Sequence, residues 1–171
     1  MKMDIVAGSK HDEYMTPRYA ITPLLKYLNG YKTIWCPFDV DGSNFVKVFK
    51  ENGFNVINTH IKNGQDFFET SINCDIIISN PPYSKKADIL EKLFYIGKPF
   101  AMLLGVVGLF ESKRRFDMFK NNKFEVMYFD KRISYLKDSY EVKPSLNPPF
   151  SSVYITSKLM SDRIVFEEII K

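Results

Sequence analysis

The sequence is poor in the residues that build cross-linked or metal-centred folds. Its 171 residues include two cysteines, Cys36 and Cys74, and two histidines, His11 and His60. Each cysteine sits in an apolar, strand-like run, so two buried reduced thiols are expected rather than a disulfide. With no CxxC pair and two scattered histidines there is no ligand set for structural zinc, and no metal is expected. Long hydrophobic runs are missing too. The longest, Phe100 to Phe110, falls well short of the ~20 residues that span a bilayer. The N-terminus has no apolar signal core, so the sequence reads as a cytoplasmic protein without membrane contact. Repeats, low-complexity tracts and linkers are absent, and the length suits a single domain over 1–171.

What is present is apolar and aromatic. Hydrophobic residues make up 45% and aromatics 15%, which excludes a disordered chain. That is enough to cover both faces of one sheet. Lys plus Arg number 24 against 20 Asp plus Glu, a net +4, which permits a nucleic-acid partner without demonstrating one. The charge is uneven. From Ser84 to Ser145 there are 13 basic and 8 acidic residues, a net +5, leaving 11 and 12, a net −1, elsewhere.

Strand-like and helix-like segments alternate. Thr16 and Pro17 suit the cap and first position of a helix whose stripe is Ile21, Leu24, Leu25 and Leu28, with Pro23 kinking or restarting it. Strands are expected at Thr33 to Phe38, Asn55 to Ile61, Cys74 to Ser79, Phe100 to Val107 and Glu125 to Phe129. Ser43 is expected to cap a helix carrying Phe45, Val48 and Phe49. A further helix ends at Gly97, and another spans Lys113 to Asn122. Ile133 to Leu136 and Val153 to Thr156 read as a closing pair, separated by a proline-rich loop from Lys143 to Pro149. The pattern predicts an α/β domain with a mainly parallel, doubly wound sheet and an antiparallel hairpin at one edge.

In such a sheet ligands bind beyond the carboxyl ends of the strands. There the sequence carries its most unusual segment. Three isoleucines in a row run into Ser79-Asn80-Pro81-Pro82-Tyr83. The prolines end the ladder and stiffen the turn. The Asn80 amide oxygen and the Pro81 carbonyl then form two fixed acceptors, with the Tyr83 ring as a surface for stacking. Two acceptors beside a ring suit a planar group bearing an NH2. The plainer alternative is a proline-stiffened turn with a surface tyrosine.

The Ser79 to Tyr83 segment resembles the catalytic motif of S-adenosylmethionine-dependent amino-methyltransferases, above all the DNA adenine-N6 methyltransferases of small phage and bacterial type. Enzymes that methylate RNA adenine or a protein glutamine carry similar motifs. The resemblance covers roughly Tyr14 to Thr156. It implies a Rossmann-like methyltransferase fold, S-adenosylmethionine as cofactor, DNA as partner with RNA as the alternative, and base flipping followed by direct displacement. Asn80, Pro81, Pro82 and Tyr83 would be the catalytic segment. The family's glycine loop corresponds to Cys36-Pro37-Phe38-Asp39-Val40-Asp41-Gly42. Pro37 and Gly42 match, Asp39 joins them as a cofactor candidate, Cys36 stands where the family has an acidic residue, and Val40 replaces a glycine. Valine resists positive φ, so the loop must take a different path.

His60 stands where the family's ribose-binding carboxylate falls, as ligand or as ordinary strand-end histidine. Asp66 and Phe67 match the position that holds the cofactor's adenine. Tyr14 and Thr16 resemble an arm closing over the cofactor, with a plain helix cap as the alternative. Lys85, Lys86, Lys113, Arg114 and Arg115 are candidates for phosphate contacts or solvated faces. Phe150, after Asn147-Pro148-Pro149, would wall the base pocket or simply end a rigid connection. No separate target-recognition domain is expected, so specificity would come from Lys113 to Lys123, from Lys137 to Phe150, or from a partner chain. Because two cofactor motifs are altered, a non-catalytic protein of this fold that binds nucleic acid or another protein is the second reading.

Overall fold

A computed structural model describes residues 15–136 and 148–171. The expected roles of Tyr14 and of loop residues 143–147 lie outside them. A seven-stranded mixed sheet organises the chain. Its strands are β1 (Thr33–Cys36), β2 (Asn55–Asn58), β3 (Ile76–Ser79), β4 (Phe100–Gly105), β5 (Glu125–Phe129), β6 (Ser152–Ser157) and β7 (Ile164–Glu167). The spatial order is β2-β1-β3-β4-β6-β5-β7. β1 pairs in parallel with β2 and β3, β3 with β4, and β5 with β7. β6 runs antiparallel to both its neighbours.

The helices are α1 (Asn44–Glu51), α2 (Lys86–Ile96) and α3 (Lys113–Asn121). Local chemistry fixes their ends. The Ser43 hydroxyl accepts the Val46 N–H at 3.3 Å, and the Ser112 hydroxyl accepts the Arg115 N–H at 3.1 Å. Such caps contribute about 1 kcal/mol each. Gly97, with φ 73°, closes α2 in the left-handed conformation that a side chain would resist.

Alternation along the strands divides the core into two layers. Ile34, Ile76, Ile78, Leu103 and Tyr154 face Phe45, Val48 and Phe49 of α1, together with Ile21 and Leu24. Trp35, Ile77, Met102, Leu104 and Ile155 face Leu90 and Leu93 of α2 and Met118 and Phe119 of α3. Cys36 and Cys74 are both buried and free. No helix among the described residues is long and apolar enough to cross a membrane.

Three expectations are corrected. Thr16 does not cap a helix. Pro17 takes that position without a side-chain bond, and two short 3-10 turns, Arg18–Ala20 and Thr22–Tyr27, replace the expected α-helix around Pro23. Ile133 to Leu136 is not a sheet strand. Ile133 and Tyr135 alternate into the core as a strand's residues would, but the segment packs under the first turns, where the Tyr19 hydroxyl accepts the Ser134 N–H at 2.8 Å. Leu136 bridges to Met15. Among the described residues there is therefore no antiparallel hairpin at an edge. The antiparallel strand β6 is interior, and the edge pair β5–β7 is parallel, with β7 a strand the sequence pattern did not reveal.

Candidate functional site

From neighbouring β1 and β3 the chain leaves in opposite directions, through α1 to β2 and through α2 to β4. A crevice opens at the carboxyl ends of such strands. Here it is a cleft with a cavity of about 150 Å3, lined on this side by Asp39 and Asn80.

Asp39, just past β1, lies buried in its wall. Its carboxylate accepts the Ser79 hydroxyl at 2.5 Å, tying the end of β3 to the loop after β1. Burial pushes the carboxyl from its ordinary 3.8 up to about 6, and the Ser79 and Ser43 hydroxyls offset part of that rise. Its partners are hydroxyls rather than a cation.

Met15 and Thr16 close one side. The Asn44 amide donates to the Thr16 carbonyl at 2.9 Å, and the Leu136 N–H donates to the Met15 carbonyl at 2.9 Å. So pinned, the Thr16 hydroxyl accepts the Asn80 Nδ2–H at 3.1 Å. That bond fixes the rotation of the Asn80 carboxamide and leaves Oδ1 as the buried acceptor of the pair.

The Asn80 to Tyr83 segment forms part of the cleft wall. Asn80 and Pro82 line the cleft. Tyr83 turns to the other side, where its ring meets Phe150 edge-on at 5.7 Å. The Tyr83 hydroxyl bonds the Tyr135 hydroxyl at 2.9 Å, and that hydroxyl bonds Ser152 at 2.8 Å. Gly105 makes this wall possible. A Cβ there would come within 3.0 Å of the Phe150 ring and 3.3 Å of the Tyr83 ring. Pro81 is buried.

Of the other expected cofactor residues, Pro37, His60, Asp66 and Phe67 reach the cleft. His60 Nδ1 accepts the Lys62 N–H at 3.0 Å, which puts the proton of the neutral ring on Nε2. Asp66 accepts the Phe68 N–H at 2.9 Å in a tight turn. Phe67 is buried, its ring 5.1 Å from Phe38 and 5.5 Å from Trp35. Gly42 does not line the cleft and does not adopt positive φ. Val40 does line it, and it too keeps a negative φ.

The basic residues divide. Lys85 lines the cleft mouth. Lys86 and Arg115 converge beside Gly108, where Lys86 donates to the Val107 carbonyl at 2.5 Å. Burial, followed by the charge of Arg115, lowers the Lys86 pKa. Arg115 Nε is buried without a hydrogen-bond partner among the described residues. Lys113 is instead paired with Asp117, and Arg114 with Asp88 and Glu91, on the outer surface of α2 and α3. Sequence reasoning missed Gly105, Tyr135 and Ser152. Only Gly105, a lone glycine ending an apolar strand, left any signal.

No protein-family model matches the chain, and no curated protein matches its sequence. Among solved structures, its fold is similar to that of a modification subunit assigned to a type I restriction enzyme of Vibrio vulnificus YJ016. The TM-score is 0.56, with 10% identity over 95% of this chain. The chain spans 48% of that subunit. The likeness is one of fold: a mixed α/β sheet, mostly parallel with an antiparallel part, shared with a restriction-enzyme modification subunit.

Proposed function

We propose that the protein is an S-adenosylmethionine-dependent methyltransferase acting on the N6 amino group of adenine in DNA, with residues 1–171 forming one Rossmann-like methyltransferase domain. One observation carries the reading. Asn80, its amide held by Thr16, lies where the cleft meets the Tyr83–Phe150 wall. That is the position from which one side chain serves both a cofactor and a target base.

The donor set of the cleft fits the cofactor. Asp39 is a buried carboxylate satisfied by hydroxyls alone, which suits a cationic ligand. Asp66 supplies an acceptor, and Phe38 and Phe67 an aromatic surface for a nucleoside. Thr16, Pro37 and His60 complete the walls that would hold it. S-adenosylmethionine, when bound, would supply a sulfonium-activated methyl group.

The chain's own residues handle the base. Tyr83 and Phe150 receive the flipped adenine. Asn80 Oδ1 and the Pro81 carbonyl accept hydrogen bonds from its amino group and draw the nitrogen lone pair out of conjugation. Pro82 stiffens the turn that aims them. Fixed acceptors of this kind stabilise the charge that develops on nitrogen. No covalent enzyme intermediate is required. Lys85, Lys86 and Arg115 would contact phosphates. The similar subunit belongs to a multi-component enzyme, which favours a partner chain as the source of target specificity.

A second reading, a non-catalytic nucleic-acid-binding protein of this fold, is favoured by His60, whose Nδ1 is committed to the Lys62 amide where the related enzymes would offer a carboxylate. Methyl transfer from labelled S-adenosylmethionine to unmethylated DNA separates the two. The expected result is transfer by the parent and a loss of at least ~100-fold in Asn80→Ala, the usual effect of removing one preorganised polar contact. Transfer that survives Asn80→Ala would overturn the site. RNA and protein acceptors run in parallel separate the substrate classes.

A further inference from the structure

We propose that residues 106–112, the loop after β4, form a platform for an unpaired DNA strand, so that the site takes its adenine from single-stranded rather than duplex DNA. The inference rests on the reading of the Tyr83–Phe150 wall as the base pocket and names the substrate class of that site.

The loop is anchored to that wall. It begins at Val106, beside the Gly105 on which the Phe150 and Tyr83 rings close. The Val106 N–H donates to the Ser151 carbonyl at 2.9 Å, and the Leu109 N–H donates to the Val106 carbonyl at 3.1 Å. Leu109 is buried, and the Lys86 ammonium donates to the Val107 carbonyl. Between these anchors and Ser112, Val107 stays 44% and Phe110 49% exposed. The Phe110 ring is seated on the buried Phe119, centroids 5.1 Å apart, so it is fixed in place while much of it stays open. A chain advances at most ~3.6 Å per residue, so Phe110 lies within ~18 Å of Gly105, a few nucleotides from the base pocket.

Charge identifies the occupant. Among the basic side chains in the first turns of α2 and α3, Lys113 is paired with Asp117, and Arg114 with Asp88 and Glu91. Lys86 and Arg115 form no ion pair among the described residues, yet they converge on the loop. A Cβ on Gly108 would stand 3.5 Å from Lys86 Nζ, 3.9 Å from Arg115 Nη2 and 4.0 Å from Glu111 Oε2. The exposed Glu111 carboxylate offsets one of the two cations and leaves the other uncompensated. The N-terminal ends of both helices add to the positive potential. Burial, followed by the charge of Arg115, lowers the Lys86 pKa, and a phosphate beside the two cations relieves their repulsion.

A cation pair next to a fixed, open aromatic ring suits the phosphate and the base of a nucleic-acid strand. Pairing decides the form of that strand. A duplex stacks its base faces on one another and offers their edges in the grooves, so Phe110 finds no face to stack on. An unpaired strand offers a face on every base. Turning an adenine out toward Tyr83 and Phe150 also costs least where it is already unpaired.

Fluorescence anisotropy of the full chain with a labelled mixed-sequence DNA strand of ~20 nucleotides, alone and annealed to its complement, tests the proposal. The single strand is expected to bind at least ~10-fold tighter than the duplex. Phe110→Ala should weaken single-strand binding ~10-fold, the size of one base–aromatic stack, and leave duplex binding unchanged, whereas Phe110→Trp should keep the parent affinity. Arg115→Ala should weaken both and flatten the dependence of affinity on salt. Duplex binding as tight as single-strand binding overturns the proposal. So does no binding of either form at ~100 µM protein, single-strand affinity indifferent to Phe110→Ala, or a salt dependence unchanged in Arg115→Ala. The comparison on the parent decides the matter even where a variant fails to fold. Binding requires neither cofactor nor turnover. Duplex binding with methyl transfer would therefore sink the platform and keep the enzyme, whereas single-strand binding without transfer would keep the platform and sink the enzyme.

Discussion

Asp39 is the group whose cost can be worked out most directly. Burial in the cleft wall lifts its carboxyl from 3.8 to about 6. At about 1.4 kcal/mol per pKa unit, that corresponds to roughly 3 kcal/mol. The sign follows from linkage. The folded state holds the proton more tightly than the unfolded chain. Stability from this group is therefore full below about pH 4, falls as pH rises through 6, and is gone at pH 7. Asp39→Asn removes the titration and keeps a polar group of the same shape beside Ser79. The variant should thus gain on the parent by up to ~3 kcal/mol between pH 4 and pH 7. Urea denaturation of both proteins at several pH values measures the difference. A gap that does not change with pH would refute the reasoning, because it would mean that the carboxyl is not held protonated by burial. The same substitution should weaken binding of a cationic ligand in the cleft, so a stabilised protein that has lost its ligand is the combined signature.

Two further outcomes rest on the geometry around Asn80 and Tyr83. Thr16→Val removes the Thr16 acceptor of Asn80 Nδ2, a loss of about 1–2 kcal/mol, so kcat should fall ~10-fold with little change in KM, and Thr16→Ser should restore it; unchanged kcat in the valine variant would show that the amide needs no such support. Gly105→Ala drives a methyl group into the Phe150 and Tyr83 rings and should cost about 1–3 kcal/mol in denaturant stability while raising KM for DNA. A variant as stable as the parent would show that the rings yield freely.

The sequence made the sheet legible where the physics is local. Alternating and triple-apolar runs located β1 to β6, and Ser43 and Gly97 marked helix ends because caps and left-handed positions admit few residue types. The 3-10 turns at Arg18–Ala20 and Thr22–Tyr27 were hidden, since their apolar spacing is that of an α-helix. Tyr135 and Ile133 imitated a strand because any segment laid on a core alternates. β7 escaped because its outward residues, Ile164 and Phe166, are apolar and yet exposed, which reverses the expected pattern. The turn from Asn80 to Tyr83 stood out through its prolines. Its support did not, for Thr16, Gly105, Tyr135 and Ser152 are brought to it by tertiary packing across long sequence separations.

Calorimetric titration of the full chain with S-adenosylmethionine tests the central claim most directly. The expected result is saturable heat at one site per chain, reduced when Asp39 is replaced by Asn. No heat at ~1 mM ligand would contradict the assignment of the β1–β3 cleft as a cofactor site, and with it the enzyme.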